Sequence, residues 1–168
     1  MQIFDRKLKK YFPNYILQSL LATITLTIIL YFENIFTNTA VVASLGATTF
    51  IIFAMPKYTT AQPRRVIGGH IIGIIVVVFC FYIASLAQNR EGFLLTQNIL
   101  KIFIPSLSVG LSIFVMVITN TEHPPAAGTA LGIVVQGCSY STIVVILITI
   151  SLLSLTKYLL KPWLKDLV

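Results

Sequence analysis

The sequence predicts an all-α, polytopic helical membrane protein, and three observations predict it. First, 57% of its 168 residues are hydrophobic, while only 12 Lys/Arg and 5 Asp/Glu carry charge. Soluble domains are roughly a quarter charged, so this chain cannot clothe a water-facing globule of its size. Second, the apolar residues form long runs and do not alternate, which argues against barrel strands. Third, the cations flank those runs, as in proteins that fix their orientation across a bilayer. The net charge of +7 therefore points to topology and anionic lipid. No nucleic-acid partner is expected, because there is no basic face or recognised binding motif. Cys80 and Cys138 sit in apolar stretches and read as small packing residues.

The elements follow in order. Residues 1–14 form an amphipathic cytoplasmic segment: Ile3, Phe4, Leu8, Tyr11 and Phe12 recur at helical spacing opposite Asp5, Arg6, Lys9 and Lys10. Such a helix lies among lipid headgroups. Residues 15–168 form a single transmembrane domain with six apolar segments, near 15–32, 39–55, 66–87, 99–119, 125–137 and 142–160. At about 1.5 Å per residue against a hydrocarbon core of about 30 Å, the first, third, fourth and sixth can each span. The second is marginal. The fifth reaches only about 20 Å and reads as a half-helix or a broken span. The run from Tyr15 to Phe32 is too long for a signal core and has no clear cleavage site, so it reads as a retained span.

With six crossings and a cytoplasmic N-terminus, ten of the twelve cations fall inside, and only Arg90 and Lys101 fall outside. Both termini are then cytoplasmic. Trp163 between Lys161 and Lys165 suits an interfacial anchor. The polar stretch 88–98 divides the chain into halves of three segments each, the arithmetic of a possible 3+3 inverted repeat. The alternative is that Gly, Ala and Thr in the short segments merely permit close helix packing.

Two constellations stand out. In Asn120-Thr-Glu-His-Pro-Pro-Ala-Ala-Gly-Thr-Ala130, the proline pair can start a helix but cannot sit inside one. Ala126, Ala127, Gly128 and Thr129 would form its first turn. Their amides, with the Thr129 hydroxyl and His123, would hold a small anion at the positive end of the helix dipole. The alternative is a kinked helix start capped by Thr121 or Asn120, with no ligand. In Ala61-Gln-Pro-Arg-Arg-Val-Ile-Gly-Gly-His70, Arg64 would draw anions to a cytoplasmic mouth and Gln62 would donate a hydrogen bond. Arg65 suits gating or simple anchoring. His70 lies about one turn inside the apolar region, where an ionisable group is a functional suspect. It could equally be a neutral histidine bonded to a backbone carbonyl. Glu122 would pair with Arg64 or Arg65, or titrate with His123. Ser44, Thr48 and Thr49 in the second segment would line a path or bond to their own helix, with Thr48 a gating candidate. The spacing of His and Cys holds no metal, and no P-loop, dinucleotide fingerprint or nucleophile elbow is present, so neither an enzyme nor a cofactor is expected.

Three blocks in this order carry a resemblance: Ser44-Leu-Gly-Ala-Thr-Thr-Phe-Ile-Ile-Phe-Ala-Met-Pro56, Ala61-Gln-Pro-Arg-Arg-Val-Ile-Gly-Gly-His70 and His123-Pro-Pro-Ala-Ala-Gly-Thr-Ala130. Together they resemble the HPP family of integral membrane proteins, and the resemblance covers essentially the whole chain. It makes His123, Pro124 and Pro125 the signature triplet, and it implies a small helical domain of four or more spans. Plastid members of plants and cyanobacterial relatives are associated with nitrite transport. The chain departs from the pattern at Lys57-Tyr-Thr-Thr60, where a Ser-Pro pair is frequent, and at Arg65, where an uncharged polar residue is common. With no transit-type segment ahead of the first span, a bacterial plasma membrane is expected.

The reading is therefore a transporter or channel for a small inorganic anion, with nitrite the candidate. A non-transporting or partner-docking membrane subunit, and a proton- or cation-coupled carrier, are the alternatives. Gly68, Gly69 and Gly73 suit helix packing or a subunit seam, so a homo-oligomer, in the first instance a dimer, is expected.

Overall fold

A computed structural model describes residues 7–33, 39–88 and 93–168. Among these residues the chain forms six α-helices and no strand. They are α1 (Leu8–Glu33), α2 (Thr39–Ala54), α3 (Pro63–Gln88), α4 (Phe93–Ile118), α5 (Pro124–Gln136) and α6 (Tyr140–Leu160). A short 3-10 turn, Thr59–Ala61, joins α2 to α3.

The reason for helices is the solvent. In hydrocarbon every backbone N–H and C=O must be satisfied within its own segment. Among the described residues four helices are long and apolar enough to cross a bilayer: Leu8–Tyr31, Pro63–Leu86, Leu100–Ile118 and Tyr140–Leu160. These are the four segments the sequence marks as full spans. Apolar side chains cover outward and inward faces alike. On α3, Val77 is fully buried while Ile75 is 61% exposed, the pattern of a helix between protein and lipid.

Residues 1–6 of the expected interfacial segment lie outside the described residues; the rest joins α1. Tyr11 departs from helical backbone (φ −119°, ψ 20°) two residues before Pro13. The proline lacks an N–H and crowds the preceding turn, so the junction between interfacial residues and span becomes a kink. At the other divide, α4 already begins at Phe93, within the polar stretch, while residues 89–92 lie outside the described ones.

The short helix α5 occupies the middle of the bundle. It packs on α2, α3 and α4, while α6 closes α2 and α3, and α1 closes α2 and α6. The substantial helix pairs map onto themselves when α1–α3 are exchanged with α4–α6. Thus α1·α2 answers α4·α5, α3·α4 answers α1·α6, and α3·α5 answers α2·α6. The two halves thus share a pattern of helix pairing, with the contacts of α3–α5, α3–α4 and α4–α5 much the more extensive of each matched pair.

Close approach of α3 to the start of α5 requires glycine. A Cβ at Gly69 would stand 2.9 Å from His123 Cβ, and one at Gly73 would stand 2.9 Å from the carbonyl oxygen of Ala126. The glycine row thus packs within the chain, so it lends no support to a subunit seam.

Lys7 Nζ donates to Val168 O at 2.8 Å, and Leu167 N–H donates to Ala54 O at 2.9 Å. The beginning of α1, the end of α2 and residue 168 therefore meet at one end of the bundle. Gln18, 1% exposed, fastens this end. Its Oε1 accepts from Lys165 N–H at 2.9 Å, and its Nε2 donates to the carbonyls of Lys165 and Phe53.

Candidate functional site

At the same end, α4 closes with Asn120 in left-handed backbone (φ 54°). Thr121 N–H reaches Met116 O at 2.9 Å and Asn120 N–H reaches Val117 O at 3.2 Å. This pair of bonds is a Schellman closure with asparagine in the glycine role. It turns the chain so that Thr121 meets Gly68 and His123 meets Gly69. Arg65 then bonds both Glu122 and Asn120, so the expected ion pair falls to Arg65, and Arg64 is exposed.

His123 is the N-cap of α5 and makes no side-chain cap bond. Neither expected alternative cap operates: Thr121 Oγ1 pairs with Thr119 Oγ1, and Asn120 with Arg65. The expected open amide end is not formed either. The early amides of a helix are its ligand-binding donors, but Pro124 and Pro125 have none. The next, Ala126 N–H, is taken by His123 O at 2.9 Å, and the helical ladder takes up those that follow. Pro125, Ala126, Ala127 and Thr129 are buried, and Gly128 lies 3.6 Å, measured from its would-be Cβ, from Ser44 Cβ. The signature proline pair thus removes the donors that an anion cup at this helix start would use. Pro124 itself is exposed.

What the structure does assemble is a buried polar row. Ser44, Thr48, His70, His123 and Thr129 are each 5% exposed or less. Ser44 Oγ lies 2.5 Å from Pro125 O and 2.6 Å from Thr129 Oγ1. Thr129 Oγ1 lies 2.9 Å from His70 Nδ1. Thr48 Oγ1 then bridges the two imidazoles, 3.1 Å from His70 Nε2 and 3.0 Å from His123 Nε2. His123 Nδ1 completes the row at 2.9 Å from Thr60 O. The ring centroids are 5.2 Å apart. His70, His123, Thr48 and Thr129, singled out in three separate segments, converge here.

At the same end of the bundle lies a cavity of about 410 Å³, lined among others by Lys57, Gln62, Lys157 and Lys161, with Tyr158 and Pro63. Lys157 Nζ donates to Ala61 O at 2.5 Å. Asp166 accepts from the Lys57 backbone N–H at 2.9 Å. Gln62, expected to donate a hydrogen bond at a basic end, lines this cavity with the three lysines. Lys57, Lys157 and Lys161 were legible only as topological anchors, since nothing in the sequence brings residues 57 and 157 together. Among the described residues no group of three His, Cys, Asp or Glu could hold a metal ion.

A small six-helix membrane bundle with a buried histidine pair against a double-proline helix start is the class of protein defined here. The transmembrane region of the HPP family matches residues 9–163, and the chain belongs to that family. It is also 36% identical over 90 residues to a transmembrane protein of Dictyostelium discoideum, a stretch covering 54% of this chain and 28% of that protein. The chain thus spans well under half the length of this relative. No solved structure matches the chain.

Proposed function

We propose that the protein moves a small inorganic anion across a membrane, with nitrite the candidate substrate. The observation that carries this reading is the cavity faced by Lys57, Lys157, Lys161 and Gln62 at one end of the bundle. Three ammonium groups around a concave mouth raise the local concentration of anions, and the amide of Gln62 can donate to an oxyanion. The shared packing plan of the two helix triplets adds support, because alternating access commonly rocks one repeat against the other. Arg64 and Arg65 belong to the same basic end. A bacterial plasma membrane, with both termini cytoplasmic, is part of the proposal, and it draws on the gathering of basic residues at that end. So is a homodimer, because so small a bundle gives a single chain little room to enclose a path.

Uptake of nitrite into liposomes holding the purified protein tests the reading. Uptake well above that of protein-free vesicles, and reduced by Lys161→Gln, is expected. The closed packing around the two histidines favours a second reading, a membrane subunit that transports nothing. Uptake equal to that of empty vesicles would select it.

A further inference from the structure

The buried row has a hydrogen count that can be worked out link by link. Six contacts join the Pro125 carbonyl to the Thr60 carbonyl through Ser44, Thr129, His70, Thr48 and His123. Each contact lies between 2.5 and 3.1 Å and needs one hydrogen. Neutral side chains supply one per hydroxyl and one per imidazole, five in all for these five residues. The row is therefore one hydrogen short.

Its two ends show where the shortage falls. Carbonyls only accept, so Ser44 donates to Pro125, Thr129 donates to Ser44, and His70 donates from Nδ1 to Thr129. His70 Nε2 is left as an acceptor. From the other end, His123 donates from Nδ1 to Thr60, and its Nε2 is also left as an acceptor. Both acceptors face the Thr48 hydroxyl, which has one hydrogen to give. One added proton resolves the conflict, for then one ring donates from Nε2 to Thr48 while Thr48 donates to the other. A second added proton would leave two N–H groups facing Thr48 and set two cations with centroids 5.2 Å apart.

We propose that Thr48, His70 and His123 form a binding site for a single proton, held between the two Nε2 atoms and relayed by the Thr48 hydroxyl. Transfer is balanced. The N–H bond at His123 Nε2 breaks as an O–H bond forms at Thr48, and the former Thr48 O–H breaks as an N–H bond forms at His70 Nε2. No other bond changes. The site stands whether or not an anion crosses the membrane.

The surrounding charges do not compete for this proton. The segments of α2 and α5 contain no acid or base. On α3, Arg65 is held by Glu122 and Asn120, Arg64 is exposed, and Cys80 lies in a separate apolar cluster. On α4, Lys101 is exposed. On α6, Lys157 is bonded to Ala61 O, and Asp166 beyond it bonds Lys57 N–H. No carboxylate touches either ring among the described residues.

The chain contains only two histidines, so ring nitrogen-15 resonances report on this site alone. The experiment uses the full chain with labelled histidine in lipid nanodiscs, titrated from about pH 8 to about pH 4. Both Nδ1 atoms should stay protonated throughout, and both Nε2 signals should move in one step that takes up one proton per chain. Thr48→Val should abolish the shared step, leaving the rings to change separately, while Thr48→Ser should keep it. Uptake of two protons, no change at either Nε2, or a shared step that survives in Thr48→Val would overturn the proposal. Should Thr48→Val fail to fold, the wild-type proton count and Thr48→Ser decide.

Discussion

Lys157 and His123 are held by neighbouring carbonyls of one short turn. Lys157 Nζ donates to Ala61 O, and His123 Nδ1 donates to Thr60 O at 2.9 Å. The Thr59–Ala61 turn thus connects a lysine that lines the cationic cavity to a histidine of the buried row.

The proposed role of the cationic cavity can be tested through Lys161, which lines it. Lys161→Gln removes one of three ammonium groups that line the cavity. Near a partly screened surface, one such charge changes anion affinity by about 0.5–1 kcal/mol. The half-saturation concentration for nitrite should rise about two- to five-fold, with the maximal rate little changed. Lys101→Gln, near the far end of α4, should alter neither. Flux measured against nitrite concentration in proteoliposomes checks both.

The seam between α3 and α5 makes a prediction about stability. Gly69→Ala would place a methyl 2.9 Å from His123 Cβ and 3.0 Å from Thr121 O, and Gly73→Ala one 2.9 Å from Ala126 O. Backbone and short side chains cannot swing aside, so each should cost about 1–3 kcal/mol. Gly46 and Gly110 have no atom within 4 Å of such a methyl. Alanine there should be neutral or stabilising by up to about 1 kcal/mol, because it is the better helix former. Unfolding midpoints in mild detergent should separate the two pairs, and equal midpoints would refute the tight seam.

Much of this architecture is legible in the sequence because the bilayer acts as a coarse ruler. The apolar runs at 39–55, 125–137 and 142–160 correspond closely to α2, α5 and α6. Where the match slips, local chemistry decides. The first span extends back to Leu8 across a proline kink, and α4 reaches back into polar residues that a hydropathy count assigns to a loop. Among site residues, His70 and His123 are conspicuous as ionisable groups in apolar surroundings. Their meeting at Thr48 is not legible, since it joins residues 22 and 75 positions apart through three helices. The amide cup illustrates a different failure. A helix start offers donors to a ligand only where its first residues carry an N–H, and Pro124 and Pro125 carry none.

The two cysteines, at opposite extremes of exposure, provide a topology test. Cys80 is buried and Cys138 is exposed in the link between α5 and α6. That link lies at the opposite end of the bundle from Lys7 and Val168, because α5 starts at the shared end and runs away from it. With both termini cytoplasmic, a membrane-impermeant maleimide added to intact cells should label Cys138 and leave Cys80 untouched. Labelling of Cys138 only after the cells are opened would reverse the orientation.

The Arg65–Glu122 pair ties the beginning of α3 to the loop that delivers His123. Its side chains are 17% and 36% exposed, so water screens the attraction and a coupling of about 0.5–1 kcal/mol is expected. Arg65 also bonds Asn120, whose left-handed backbone sets the loop. Arg65→Ala removes both contacts and should cost about 1–2 kcal/mol, whereas Glu122→Gln keeps a hydrogen-bond acceptor and should cost less. A double-mutant cycle on unfolding midpoints, repeated at high salt, isolates the ionic part. That part should shrink as salt rises, while the contribution through Asn120 should persist. A cycle with no coupling at low salt would mean that the Asn120 contact alone holds Arg65 in place.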